Sequence, residues 1–158
     1  IRRELGLAID LESEFAALKA RLDEKQVSRE ELVSRGEYFS AKLMATYLGF
    51  SFVDSADWVY FNYDGSVNTE KTYNALKSMD LSKGAVIPGF YGVMPDNRIQ
   101  TFSRGGSDIT GALAAAALDA LSALRNPVEY GMTMFTSLSF STSRLRPLIS
   151  PPMHKTVG

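Results

Sequence analysis

The chain has 158 residues, a length that suits one domain or a large part of one. Hydrophobic residues make up 45% of the sequence and charged residues 22%, a balance typical of a globular protein with a core, which excludes disorder throughout. The net charge of −1 gives no reason to expect nucleic acid or an anionic membrane as a partner, and the absence of cysteine excludes disulfides, thiolate metal sites and a cysteine nucleophile.

The first half of the chain is predicted to hold three helices and two short strands. Apolar residues at 11, 15, 18 and 22 recur with the helical period and predict an amphipathic helix over about 10–25. Ser28 opens a capping box for a second helix, which is predicted to run to Tyr47 and to end at Gly49. Gly36 interrupts that helix and could mark the close approach of a ligand or another backbone. Strands over 50–53 and 58–61, a turn at 62–65 and a helix over 69–79 follow.

The second half continues the alternation of strand and helix. The predictions are a buried strand over 85–87 closed by Pro88 and Gly89, a turn at 95–97, a strand over 98–102, a polar loop over 103–108 and a helix over 109–124. This spacing predicts an α/β fold with a mainly parallel sheet. Residues 125–158 have no clear period and end in a proline-rich tail, so we leave them unassigned.

The strongest local signal is the loop of residues 103–108, SRGGSD, between a strand and a helix. A helix N-terminus presents unpaired N–H groups and the positive end of the helix dipole, and Gly105 and Gly106 let a ligand approach the backbone. Arg104 can clamp a carboxylate or phosphate through two hydrogen bonds, and Asp108 supplies a carboxylate that could orient a charged group or a metal. The alternative is a tight turn in which Ser107 or Asp108 caps the helix, and the spacing alone does not decide between the two.

Two further segments are candidates for ligand binding. In residues 34–37 (SRGE), Glu37 could bind an ammonium group, although a solvated helix face that carries an ion pair is the more frequent explanation. Residues 88–92 (PGFYG) follow a buried strand, where open α/β sheets place their ligands, but such a segment taken alone more often only ends the strand. Trp58 is interpreted as a core residue, and His154 in the tail as a solvated one.

Taken together, these segments resemble the aspartate kinase family in order and spacing. The resemblance is carried by residues 34–43 (SRGEYFSAKL), 86–92 (VIPGFYG) and 101–112 (TFSRGGSDITGA), and it covers roughly residues 10–120. It implies an incomplete amino-acid-kinase fold, a three-layer sandwich in which helices cover both faces of a mainly parallel open sheet, with residues 1–124 as part of the catalytic domain. It also implies a cytoplasmic enzyme of lysine and threonine biosynthesis that transfers the γ-phosphate of ATP to the β-carboxylate of L-aspartate with Mg²⁺.

The resemblance also implies roles for individual residues. Glu37 would hold the amino group of L-aspartate, and Arg104 would clamp a substrate carboxylate. Ser107 would contact the bound substrate, and Asp108 would orient groups around the transferring phosphate. The same subsite includes two glycines, Gly105 and Gly106. No residue is assigned to the nucleotide or to metal ligation, and assembly into a homo-oligomer stays an open alternative.

The sequence departs from the family at both ends. The lysine-phenylalanine-glycine-glycine-threonine-serine motif, whose lysine meets the phosphates, is not found, and residues 121–158 do not match the nucleotide-binding segments. The chain begins at Ile1 without an initiator Met or the apolar core of a signal peptide. We therefore expect a fragment with turnover well below that of a complete enzyme. Lys42 is expected to form a surface ion pair near Glu37 rather than to replace the missing lysine.

Two alternative functions remain open at this stage. Another amino-acid kinase, acting on glutamate, acetylglutamate or a nucleoside monophosphate, would share the fold, although the motif at residues 104–108 is not expected there in this form. A non-catalytic protein, either truncated or acting only by assembly with another chain, would explain the missing motifs.

Overall fold

The computed structural model describes residues 6–118, which contain the predicted helices and, at Tyr91–Val93, a strand that the sequence did not predict. The elements are α1 (Glu12–Asp23), α2 (Arg29–Leu48), β1 (Ser51–Phe52), a 3-10 turn (Ser55–Asp57), α3 (Thr69–Lys77), β2 (Ala85–Val86), β3 (Tyr91–Val93), β4 (Ile99–Thr101) and α4 (Gly106–Ala117). The predictions for the end of the last helix, for the tail and for His154 lie outside the described residues.

The ends of α2 follow the capping signals in the sequence. The Ser28 hydroxyl accepts a hydrogen bond from the Glu31 N–H at 3.0 Å, and Gly49 ends the helix with a φ of 69° in the left-handed region. Gly36 is not approached closely by another backbone, because an added Cβ there would meet no atom within 4 Å among the described residues.

The strands pair as one parallel and one antiparallel pair. β1 and β2 are parallel, with Ser51 opposite Ala85, and β3 and β4 form an antiparallel hairpin. The predicted strand over 58–61 is wrong in extent, since this segment makes only isolated bridges, from Tyr60 to Val93 and from Phe61 to Val67. The 3-10 turn before it is the reason. The Val59 N–H donates to the Ser55 carbonyl and is therefore not available for hydrogen bonding to a neighbouring strand.

Helices cover both faces of the parallel pair. Val86 packs against Ala41 and Ala45 of α2, whereas its neighbour Ala85 points to the opposite face. The cluster on that opposite face combines α3, α4 and the segment around Trp58, which is fully buried as predicted. Its other members are Val53, Val59, Phe61, Leu76, Ala114 and Ala117. The arrangement confirms the predicted helix–sheet–helix sandwich.

Candidate functional site

The topology brings three predicted segments toward one edge of the parallel pair. Only Gly49 and Phe50 separate α2 from β1, so the chain reverses direction and the first half of α2 lies at the edge where β1 and β2 end. Residues 34–37 are in that half of α2, and residues 88–92 follow β2. The carboxyl ends of parallel strands are where open α/β sheets bind ligands.

The loop at 103–108 leads into α4 at the same edge. Gly105 is the N-cap residue, with a φ of 60°, and no side chain caps the helix. The alternative interpretation of Ser107 or Asp108 as the N-cap is therefore wrong, because both residues already lie in the first turn. A helix start without a side-chain cap keeps its N–H groups and the positive end of its dipole available to an anion.

Close packing holds this helix start against the segment after β2. An added Cβ on Gly89 would lie 2.9 Å from the Ser107 Cα, and an added Cβ on Gly106 would lie 2.7 Å from the Phe90 Cα. Any larger residue at either position would push the two backbones apart. The structure therefore brings two of the predicted segments, 88–92 and 103–108, into direct contact.

Phe90 has an unusual backbone conformation at this contact. Its φ of 64° lies in the left-handed region, which a bulky residue rarely adopts. The Phe90 N–H donates to the Thr110 hydroxyl at 3.1 Å, and the Phe90 carbonyl accepts from the Phe102 N–H at 2.9 Å. Thr110 in turn donates to the Gly106 carbonyl at 2.8 Å, so the strained residue is tied to α4 on one side and to the end of β4 on the other.

The charged residues of the loop point away from the core. Arg104 and Asp108 are exposed, and neither forms an ion pair or a side-chain hydrogen bond within residues 6–118. Within residues 6–118, neither side chain is therefore neutralised by an ion pair. Both are available to a ligand at the edge.

The acidic residue predicted on α2 is also without an ion-pair partner in residues 6–118. Glu37 is half-buried and forms neither an ion pair nor a hydrogen bond there. Lys42 forms the predicted ion pair, but its partner is Glu14 of α1, at 2.5 Å, rather than the nearby Glu37, and it also contacts the Tyr38 hydroxyl at 3.2 Å. Helix α1 thus supplies the acidic partner of Lys42, and Glu37 is left without an ion pair within residues 6–118.

Comparison with known proteins decides the family. The model of the amino acid kinase family matches residues 1–125, which is most of the chain. The chain belongs to the amino acid kinase family. Aspartokinase 3 of Bacillus subtilis (strain 168) is 35% identical over 94 residues, which are 54% of this chain and 21% of that protein.

Solved structures agree with the family assignment. The aspartate kinase of Clostridium acetobutylicum has a TM-score of 0.70 and 37% identity, covering 75% of this chain and 27% of its own. E. coli aspartokinase III, solved with lysine and aspartate, has a TM-score of 0.53 and 27% identity, covering 57% of this chain and 23% of its own. These matches confirm the resemblance to aspartate kinases, and they also place this chain at about a quarter of its relatives' length.

The family resemblance did not identify the residues whose hydrogen bonds hold the segment after β2 against the end of β1. Tyr91 is fully buried, and its hydroxyl donates to Asp54 Oδ1 at 2.6 Å, 37 positions away in the sequence. Ser55, also fully buried, donates its hydroxyl hydrogen to the Pro88 carbonyl. No local pattern signals these pairs, because they join the end of β1 to the segment after β2 through the fold alone.

The described residues of this chain do not form a complete metal site. Residues 6–118 contain no group of three His, Cys, Asp or Glu side chains close enough to hold an ion. Asp108 is a single exposed carboxylate, which fits Mg²⁺ only where phosphate oxygens and water supply the other ligands. None of the helices in residues 6–118 has the length and apolar character needed to cross a membrane.

Proposed function

We propose that this chain carries the aspartate-binding part of an aspartate kinase, whose reaction transfers the γ-phosphate of ATP to the β-carboxylate of L-aspartate. The observation that carries the proposal is the start of α4, which has no side-chain cap and is packed against Gly89. Arg104 and Asp108 lie beside it, and neither forms an ion pair within residues 6–118. The similarity to two aspartate kinase structures at 37% and 27% identity supports the choice of acceptor.

Each proposed role follows from the chemistry of the side chain. Arg104 forms a bidentate clamp on a carboxylate of L-aspartate, because its planar guanidinium matches the two oxygens. Glu37 binds the substrate ammonium group from α2. Ser107 contacts the bound substrate, and the N–H groups around Gly105 and Gly106 stabilise the negative charge of the reacting carboxylate and phosphate.

Asp108 serves the phosphate side of the same site. Its carboxylate orients groups around the transferring phosphate and supplies one oxygen for Mg²⁺. Mg²⁺, when bound with ATP, neutralises charge that develops on the phosphate oxygens. The residues that hold the nucleotide are left unassigned.

The wider setting follows from the same proposal. The enzyme acts in the cytoplasm, in the biosynthesis of lysine and threonine, and its partner in solution is a further copy of the same chain. Residues 1–124 form the part of the catalytic domain that this chain contributes, and residues 125–158 are unassigned.

Isothermal titration with L-aspartate tests the proposal on the full chain. Arg104→Ala should weaken binding by about 10- to 100-fold, the loss expected for hydrogen bonds to a charged group. Arg98→Ala is the matched control, because Arg98 is an exposed arginine already paired with Asp96 at 2.7 Å. A folded wild-type sample that does not bind L-aspartate, or equal binding by Arg104→Ala, would refute the proposal.

The same titration distinguishes the other acceptors. Glutamate, acetylglutamate and a nucleoside monophosphate are measured beside L-aspartate under identical conditions. Tighter binding of any of them than of L-aspartate would assign the chain to a different amino-acid kinase.

A further inference from the structure

A partly buried hydrogen bond joins β3 to the end of β1 next to the candidate aspartate site. Tyr91 is fully buried in β3, and its hydroxyl donates to Asp54 Oδ1 at 2.6 Å. Burial, followed by the nearby Asp54 carboxylate, raises the pKa of the Tyr91 hydroxyl, so this group stays protonated and remains the donor. The bond fixes the position of the Tyr91 ring relative to the end of β1.

Arg35 connects this ring to helix α2. The Arg35 guanidinium carbon lies 5.6 Å from the centre of the Tyr91 ring and 4.4 Å from that of the Tyr38 ring, both within the range of a cation–π contact. Arg35 also donates from two of its nitrogens to the Ser34 hydroxyl, at 3.0 and 3.2 Å. Because no carboxylate in residues 6–118 pairs with Arg35, these contacts are what hold its side chain.

The residues just before Tyr91 hold the other half of the site. Gly89 and Phe90 are the residues against which Ser107 and Gly106 pack, with no room for an added Cβ. Tyr91 is therefore the point at which two contacts meet. One leads through Arg35 to the helix that carries Glu37, and the other leads through Phe90 to the loop that carries Arg104.

We propose that Tyr91, held by Asp54 and covered by Arg35, is a positioning residue that sets the distance between Glu37 and the Arg104–Asp108 loop, and thereby selects an acceptor with both an ammonium and a carboxylate group. The inference rests on the proposed function, because it concerns the same aspartate site. Tyr91 acts on the substrate indirectly, through Arg35 and Phe90. Its effect therefore requires a ligand that Glu37 and the Arg104–Asp108 loop bind at the same time.

A double-mutant cycle on the full chain tests the inference. Tyr91→Phe keeps the ring but removes the bond to Asp54, and it should raise the Kd for L-aspartate about five- to tenfold, as expected for one net hydrogen bond. In a Glu37→Gln background, where the ammonium contact is already weakened, the same substitution should change the Kd by less than about twofold. Arg35→Lys, which loses the planar stacking group, should reproduce this pattern.

Tyr63→Phe is the matched control, since Tyr63 is 78% exposed, and it should leave the Kd unchanged in both backgrounds. An equal loss of affinity with and without Glu37 would show that Tyr91 only stabilises the fold, and would overturn the inference. Unchanged affinity in Tyr91→Phe and in Arg35→Lys would overturn it as well. A folded wild-type chain that does not bind L-aspartate would refute the proposed function itself, and this inference with it.

Discussion

Replacement of Gly106 by alanine tests the close packing on which the candidate site depends. An added Cβ would lie 2.6 Å from the Phe90 Cβ, 2.7 Å from the Phe90 Cα and 2.9 Å from the Phe102 Cβ. These atoms belong to backbone or sit next to it, so they cannot rotate away, and α4 must shift. Overpacking of this kind typically costs about 1–3 kcal/mol, which exceeds the gain of up to about 1 kcal/mol that alanine brings within a helix.

Gly36→Ala provides the matched control for this substitution. Gly36 lies inside α2 and has no atom within 4 Å of an added Cβ among the described residues. Alanine should therefore stabilise the protein there by about 0.5–1 kcal/mol, through helix propensity and a smaller loss of backbone entropy. The same chemical change is thus expected to have opposite signs at the two glycines.

Urea unfolding followed by tryptophan fluorescence measures both effects. Trp58 is the only tryptophan in the chain and is fully buried, so its emission reports on loss of the core. Gly106→Ala should also lower the affinity for L-aspartate in the folded protein, because the shift moves Ser107. Equal or greater stability of Gly106→Ala relative to wild type would refute the packing argument, as would destabilisation by Gly36→Ala of similar size.

Two further predictions concern charged side chains. Partial desolvation of its carboxyl group, and then the Asp54 carboxylate, raises the pKa of Asp57, a largely exposed residue, above its ordinary value of 3.8. Asp57→Asn should therefore increase the free energy of unfolding at pH 7, and this gain should disappear as the pH falls below the ordinary value, which urea titrations from pH 3 to 7 would detect. Glu14→Gln removes the 2.5 Å contact with Lys42 and should cost about 0.5–1.5 kcal/mol. Asp23→Asn, which breaks a far more exposed pair, should cost about 0–0.5 kcal/mol, and equal losses in the two variants would contradict this prediction.

Local signals in the sequence were sufficient to predict the main elements. Ser28 and Gly49 bound α2 because capping and the left-handed end of a helix depend only on a few neighbouring residues. The apolar run of residues 85–87 predicted β2 because both of its faces are buried, so no alternation is needed. The segment at 58–61 misled the same reasoning, since its aromatic residues are equally apolar but follow a 3-10 turn that no periodic pattern indicates.

Contacts between residues that are far apart in the sequence could not be predicted from it. The place of Lys42 near Glu37 on one helix suggested that these two residues pair, whereas the observed partner of Lys42, Glu14, lies 28 positions before it. The bond from Tyr91 to Asp54 could not be predicted either, because any acidic residue near the end of a strand would have been an equal candidate. The roles of Glu37, Arg104, Ser107 and Asp108 remain predictions that the binding experiments must test.

For this site, the edge of the sheet at which a glycine lies is more important than the left-handed backbone conformation that the glycine adopts. Gly49 and Gly84 have φ values of 69° and 78°, in the same left-handed region as Gly105 at 60°. Gly49 and Gly84, however, precede β1 and β2, so they lie at the amino ends of the parallel strands, opposite to the edge where open α/β sheets bind ligands. Gly105 starts α4 at the opposite edge, against the segment that follows β2, and there the same backbone conformation brings N–H groups together with Arg104. The parallel crossover from β1 through α3 to β2 is what places the carboxyl ends of both strands at this candidate edge.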